Sequence, residues 1–333
     1  MKPALIIAGL LLSLAVSPAR AEEPIVIKFS HVVAPDTPKG KAAEKFKALA
    51  EERTHGRVRV EIYPNSQLYK DKEELEALQL GAVQMLAPSV SKFGPLGVKE
   101  FEAFDLPYIF PSIEALRRVS DGPIGHELFA KLESKGILGL AYWDNGFSII
   151  TSNKPLRKLE DFKGMKMRIQ SSKVLEATYR HLGALPQVMA FSEVYQALQT
   201  GVVDGVENTP SNSYTQKFYE VQKYLTVSYH TYIGYAVVVN KKFWEGLPPD
   251  IRAALESAMK DATAYCNEIA EKENEDALAR IKASGTIEFI VLTDQEKAEW
   301  RKSLLPVHEE MAPRIGKELI QAIYKETGTS ATQ

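Results

Sequence analysis

Ile25, Ile27 and Phe29 share one face of residues 24–30, which predicts a strand. Thr37-Pro38 then signals a helix start, with threonine as cap and proline at the first helical position. Ala42, Ala43, Phe46, Leu49 and Ala50 recur on one face of that helix, and Gly56 ends the region. Val58, Val60 and Ile62 alternate in a second strand. Asp71 and Glu74 read as a capping box for a helix that Gly81 closes. Residues 83–87 and 137–143 read as further strands, the latter after a helical stretch. This order of strand and helix predicts a parallel sheet flanked by helices.

The pattern then restarts, with a plausible hinge at Asn145-Gly146. Residues 148–152, 165–169, 186–189, 202–206 and 235–240 read as strands, and 173–182 and 192–199 as helices. The most regular segment covers residues 249–282, where Ile251, Leu255, Ala258, Ala262, Tyr265, Ile269, Ala277 and Ile281 recur at helical spacing. A single helix of roughly 34 residues would run ~50 Å, longer than one small domain, and so would cross both. Two helices broken near Asn274 fit the same pattern. Residues 287–292 read as a late strand, 300–323 as largely helical and 327–333 as a frayed tail.

The first residues carry an address. Lys2 precedes an apolar run over residues 4–16, and Ala19-Arg20-Ala21 supplies small residues for cleavage after Ala21. The run is shorter than the ~20 residues a membrane-spanning helix needs. The reading is a cleaved secretory signal and a soluble protein exported to a bacterial periplasm.

Length and composition narrow the classes further. The chain has 333 residues, enough for about two domains, with 45% hydrophobic and 25% charged residues as in ordinary globular proteins. A balance of 41 Lys+Arg against 43 Asp+Glu excludes the broad basic field of a general nucleic-acid binder. Cys266 is the sole cysteine, so neither an intrachain disulfide nor a cysteine-rich zinc site is available. Phosphate-loop, dinucleotide and nucleophile-elbow motifs are missing, and no two histidines have metal-ligand spacing. The expectation is a protein that is not an enzyme and carries neither metal nor cofactor.

Within the strand Met165-Lys166-Met167-Arg168-Ile169-Gln170, apolar and polar residues alternate. A strand covered by helices on both sides should not carry Lys166, Arg168 and Gln170 on one face. Arg168 near the strand end suits a bidentate grip on a carboxylate, where open α/β sheets bind ligands. A solvated edge strand fits the pattern equally. Lys39 and Lys41 sit in the first turn of the helix capped by Thr37, where cations oppose the helix dipole unless an anion binds there. Asp36 is the competing explanation. Ser89, Ser91 and Lys92 follow the third strand and offer hydroxyl and ammonium donors, although loop residues of this kind are common. Trp143, Phe147, Phe191 and Tyr235 gather near expected strand ends, either as core or as walls of a cleft.

Residues 189–208 (MAFSEVYQALQTGVVDGVEN) resemble the extracytoplasmic solute-binding proteins of TRAP transporters, the DctP type. Residues 63–68 (YPNSQL), 106–108 (LPY) and 164–168 (GMKMR) match the same family, and the resemblance extends from about Ile27 to the region of Leu304. It implies an α/β fold of two discontinuous domains, with a hinge and a long helix spanning both. The corresponding limits are 1–21 for the signal, 22–145 with about 234–275 for the first domain, 146–233 with about 276–327 for the second, and 328–333 for the tail. It also implies a carboxylate-clamping arginine at Arg168, a cleft asparagine at Asn208 and a ring-stacking phenylalanine at Phe191. Ser148 stands where the sialic-acid branch has a second arginine, which argues against that ligand. The family's Glu-Asn-Pro is Glu207-Asn208-Thr209 here, with Pro210 next. Residues 69–72 and 87–89 resemble the branch that binds C4-dicarboxylates such as succinate, malate and fumarate.

The implied mechanism is capture of a small dicarboxylate between two domains and delivery to the small and large membrane permease subunits by a monomer. Arg168 would hold one carboxylate with Asn208 and Gln170. Lys39, Ser89 or Lys92 would meet the other, Tyr235 would complete the pocket, and Phe191 and Trp143 would wall it. Alternatives with the same binding chemistry are a co-receptor presenting an organic acid to a sensor kinase and a binder of a 2-oxoacid.

Overall fold

The computed structural model describes residues 23–330. The signal and its cleavage point, and the last three residues of the expected tail, lie outside the described residues.

In chain order the elements begin with β1 (Ile25–Ser30), α1 (Pro38–Arg53), β2 (Val58–Tyr63), α2 (Glu74–Gln79) and β3 (Met85–Leu86). Next come α3 (Ile113–Ser120), α4 (Pro123–Leu132), β4 (Ile137–Phe147), β5 (Ile149–Ser152), β6 (Lys166–Ile169), α5 (Lys173–His181) and β7 (Leu185–Val188). They continue with α6 (Val194–Gln199), β8 (Gly205–Asn208), α7 (Pro210–Thr215), α8 (Phe218–Val221), β9 (Tyr224–Val227) and β10 (Tyr232–Asn240). The chain closes with α9 (Lys241–Glu245), α10 (Pro249–Ser284), β11 (Glu288–Val291), α11 (Asp294–Leu304), α12 (Pro306–Ile315) and α13 (Lys317–Thr327).

Two sheets define two lobes. The first has strand order β2-β1-β3-β10-β4 and the second β11-β9-β5-β8-β6-β7. Both are mixed, which corrects the parallel-sheet expectation. In the first sheet β1 pairs in parallel with β2 and β3, but β10 returns from the other lobe and pairs antiparallel with both β3 and β4. A strand that arrives after a long excursion leaves no mark in the local pattern around β3 or β4.

Three segments join the two sheets. β4 runs on through Asn145 and Gly146, residue Ser148 links it to β5, and residues 228–231 link β9 back to β10. The third is α10, a single helix of 36 residues, and no break occurs at Asn274. Its first half buries Ile251, Leu255, Ala258, Ala262 and Cys266 with Phe46 and Val237 of the first lobe. Near its end Ile281 packs with Ile149 and Leu225 of the second. In between, the Asn274 amide donates to Ala270 O within the helix (2.8 Å) and to Asn145 O at the hinge (2.5 Å). Its carbonyl accepts from the backbone N–H of Ser211 (3.0 Å), so one side chain holds the crossing point of both lobes.

That crossing point requires glycine at 146. Its φ is +154°, and an added Cβ would lie 2.7 Å from Asn274 Nδ2. Gly146→Ala is therefore expected to destabilise the protein by about 1–3 kcal/mol, read as a lower midpoint in thermal or denaturant unfolding.

Two other local readings change. Asp71 and Glu74 do not form a capping box: Glu73 is the N-cap residue of α2, with no side-chain cap bond, because Asp71 is drawn into an ion pair described below. At the other end of the chain, Val307, Met311, Ile320 and Ile323 of α12 and α13 share a core cluster with Leu116, Val119 and Leu128 of α3 and α4. We therefore propose that residues 306–327 belong with the first lobe, rather than with the second as expected from the sequence.

Candidate functional site

Between the lobes lies a small cavity, lined by residues including Lys39, Asp71, Ser89 and Lys92 from the first lobe and Arg168, Phe191, Asn208 and Asn212 from the second. Wider grooves lie along α12 and α13 and behind the hinge. The cavity differs from them in its buried cations.

Lys39 occupies the first turn of α1, where the Thr37 hydroxyl caps Gly40 N–H at 3.1 Å. It is fully buried. Its ammonium donates to Ala87 O at 2.9 Å and lies 3.7 Å from the centre of the Tyr235 ring. Burial, reinforced by the Lys92 charge, lowers its pKa to about 7. Arg168, 2% exposed, lies on β6. Its Nε and Nη2 donate to Met189 O at 3.1 and 2.8 Å, which orients the guanidinium and leaves its other N–H groups for a ligand. Burial lowers its pKa, opposed by the charges of Asp71 and Glu207. Among the described residues neither Lys39 nor Arg168 has a carboxylate within 4 Å. A buried, unpaired cation is costly, and a bound anion offsets that cost.

Lys92 is different. Its ammonium pairs with Asp71 and, at 2.6 Å, with Glu74. Burial works against its charge, but the two carboxylates win and raise its pKa. Asp71 is likewise opposed by burial, yet Lys92 and Arg168 hold it down at about 2. Lys92 lines the cavity with its charge already neutralised.

The remaining walls are hydrogen-bond donors held in place by partners. Asn208 Oδ1 accepts from Thr209 N–H (2.9 Å) and from Asn212 Nδ2 (3.0 Å), so its amide NH2 is the free end. The Tyr235 oxygen accepts from Asn145 Nδ2 (2.8 Å) and Asn212 Nδ2 (3.1 Å), so its own O–H is left to donate. Ser89 borders the cavity and bonds Ser91 (3.3 Å), which in turn donates to Asp105 (2.7 Å). Gln170 lines the cavity half-buried, and the Phe191 ring lies 5.9 Å from the Arg168 guanidinium carbon.

The fold thus brings together Arg168, Asn208, Phe191, Lys39, Gln170, Ser89, Lys92 and Tyr235. Trp143 lies apart from the cavity lining: it packs in the first-lobe core, 6.0 Å from Phe29 between ring centres, with Nε1 donating to Thr263 of α10. Phe147 and Lys41 also lie outside, the latter paired with Glu273 at 2.5 Å. Asp71 and Asn212 were missed as site residues. Asp71 carried a cap-like signal that pointed elsewhere. Asn212 had only its spacing, four residues after Asn208.

Two lobes closing on buried, unpaired cations from both sides define a binding protein for a small anion. A family model described as "Bacterial extracellular solute-binding protein, family 7" matches residues 29–314. The C4-dicarboxylate-binding periplasmic protein DctP of Rhodobacter capsulatus is 67% identical over 312 residues, 94% of each chain. A TRAP periplasmic solute binding protein from Shewanella oneidensis, with bound succinate, is similar at a TM-score of 0.89 and 41% identity, covering 91% of this chain and 99% of that one. Another, from Pseudomonas aeruginosa PAO1 with bound L-malate, has a TM-score of 0.84 and 42% identity, covering 86% and 100%. The chain belongs to this family: it is a DctP-type solute-binding protein of a TRAP transporter, and the family binds solutes rather than transforming them.

Asp71 also ties the lobes together. Its Oδ2 accepts from the backbone N–H of Phe191 across the cleft at 2.6 Å. Next to it Lys70 pairs with Glu193 at 2.9 Å, half exposed and so worth little. The Asp71 bond involves a charged, buried acceptor and is worth about 1.5–3 kcal/mol. Asp71→Ala is expected to speed ligand dissociation about tenfold or more, measured by stopped-flow fluorescence.

Proposed function

We propose that the protein captures a C4-dicarboxylate such as succinate, L-malate or fumarate and delivers it to the small and large permease subunits of a TRAP transporter. The observation that carries this reading is the pair Lys39 and Arg168: two buried cations without carboxylate partners, one from each lobe, facing one small cavity. A dianion with a carboxylate at each end matches that pair. Arg168 grips one carboxylate with Asn208, and Lys39 grips the other with the Tyr235 hydroxyl and Ser89. Gln170 borders the Arg168 end and Phe191 walls it. Lys92 orders Asp71 rather than meeting the ligand.

Ligand contacts to both lobes exist together only in the closed form, so binding favours closure. Several charge-assisted hydrogen bonds of ~1.5–3 kcal/mol each offset stripping water from the dianion. The dicarboxylates bound by, or named for, the relatives above support the same class. In this reading the chain is exported through its N-terminal signal, works as a monomer and moves about the hinge at Asn145-Gly146. The first lobe takes in about residues 23–147, 232–275 and 306–327, and the second most of the other described residues.

Calorimetry with the purified protein tests it. Micromolar or tighter binding of C4-dicarboxylates, with no binding of monocarboxylates of the same length, is the expected result. Deleting the chain should abolish uptake of the acid; normal uptake with lost gene induction would assign it to sensing instead.

A further inference from the structure

The cavity contains a polarity that the dicarboxylate reading does not use. Thr209 donates its backbone N–H to Asn208 Oδ1 at 2.9 Å. A backbone N–H cannot act as an acceptor, so this bond sets which end of the Asn208 amide is oxygen. The same oxygen then requires a donor from Asn212, whose Nδ2 lies 3.0 Å away. The second hydrogen of that NH2 goes to the Tyr235 oxygen at 3.1 Å. Turning the Asn212 amide over would set two carbonyl oxygens against each other. Its Oδ1 is therefore held in place, and it is fully buried without a hydrogen-bond partner. Of the residues that line the cavity, Asn212 alone has such an atom. An orphaned buried acceptor costs free energy until a donor reaches it.

No donor of the lining stands within hydrogen-bond distance of that oxygen. Lys39, Arg168, the Asn208 NH2 and the Tyr235 hydroxyl all present hydrogens, as an anion requires. Asp71 is an acceptor already occupied by Lys92 and Phe191 N–H. An ionised carboxylate accepts only, so a ligand that is nothing but two carboxylates on a hydrocarbon chain cannot supply the missing hydrogen. A hydroxyl on that chain can. A 2-oxo group cannot, and an ammonium would add a positive charge beside Lys39 and Arg168.

We propose that Asn212 reads a hydroxyl on the ligand's carbon chain, so that the site prefers a 2-hydroxy C4-dicarboxylate over its unsubstituted and 2-oxo counterparts. This rests on the dicarboxylate reading above. Asn212 is then a specificity residue, separate in role from the charge-binding pair.

Calorimetry on the full mature chain with L-malate, D-malate, succinate and oxaloacetate tests the proposal. The expected order is one malate enantiomer ahead of succinate and oxaloacetate by about tenfold or more, the factor of one satisfied buried acceptor. In Asn212→Ala all affinities fall, since the variant also loses the donor to Asn208 and Tyr235, but the malate-to-succinate ratio collapses toward one. Asn212→Ser, with a short hydroxyl that can still accept, is expected to keep part of the ratio. Equal wild-type affinities for malate and succinate overturn the proposal, as does a preference that survives Asn212→Ala. Should that variant not fold, the wild-type ratios decide alone. Failure of all four acids to bind would instead overturn the dicarboxylate reading.

Discussion

Arg168→Met is expected to weaken dicarboxylate binding by at least about a hundredfold while leaving the ligand-free protein folded with a similar melting temperature. Removing one partner of a buried ion pair leaves the other charge uncompensated, at a cost of about 3–5 kcal/mol. Here that uncompensated charge is a ligand carboxylate sealed between two lobes. The ligand-free protein meets the opposite balance. Burial already disfavours the Arg168 charge, and among the described residues no carboxylate lies within 4 Å of it. Methionine fills much of the same space without a charge to desolvate. The measurements are calorimetric affinity and the ligand-induced rise in melting temperature, which should vanish in the variant. Arg168→Lys is expected to recover little. A lysine has one ammonium, whereas the arginine holds Met189 O with one edge and still has N–H groups for a carboxylate. Retained affinity in either variant would move the anchor of the ligand away from β6.

How much of this was legible in the chain depends on how local each cause is. Arg168 and Gln170 showed themselves because alternation on a short strand put polar residues where a covered sheet tolerates few. What orients Arg168 did not, since its partner is a carbonyl of the chain, at Met189. Lys39 was visible as a cation at the wrong end of a helix. Its full burial, and its seat over the Tyr235 ring, come from β10 crossing between β3 and β4, a pairing set by distant segments.

Non-local partners also explain the misreadings. Asp71 has the spacing of a cap, but Lys92 and the Phe191 N–H compete for the same carboxylate and win. One helix across both lobes was the expectation for α10, and a break near Asn274 the alternative to it. The Asn274 amide bonds within the helix and across to the hinge, which makes it a reason for α10 to stay whole. Trp143 had the strand-end position of a cleft wall, and α10 took it into the core through Thr263. Asn212 becomes meaningful only when Thr209, Asn208 and Tyr235 are known to surround it.

Binding at pH 8 is expected to take up close to one proton per ligand, through Lys39, and affinity is expected to fall as pH rises above 7. The folded pKa of Lys39 is depressed from 10.5 to about 7, first by burial and then by Lys92. Between those values the unfolded chain binds more protons at this residue than the folded one. The stability of the ligand-free protein therefore gains with rising pH through that window and loses as pH falls toward 7. A carboxylate placed against Lys39 reverses the shift by favouring the ammonium form. At pH 8 a group with a pKa of about 7 is roughly nine-tenths deprotonated, so binding must draw about that much proton from buffer. At pH 6 the uptake should shrink to about a tenth. The apparent dissociation constant rises about tenfold per pH unit above 7, until the pKa in the complex is reached. Calorimetry in buffers of different ionisation enthalpy counts the protons directly. Two neighbours could confuse the result. His31, lowered to about 3 by burial and the Lys39 charge, titrates too far below this window to contribute. Asp105, raised to about 8 by burial and linked to the cavity through Ser91 and Ser89, titrates inside it. Lys39→Met should remove the uptake and most of the pH dependence, whereas Asp105→Asn should leave both largely intact. The reverse outcome would assign the coupled proton to Asp105, and no uptake in the wild-type protein would mean that the ligand does not reach Lys39.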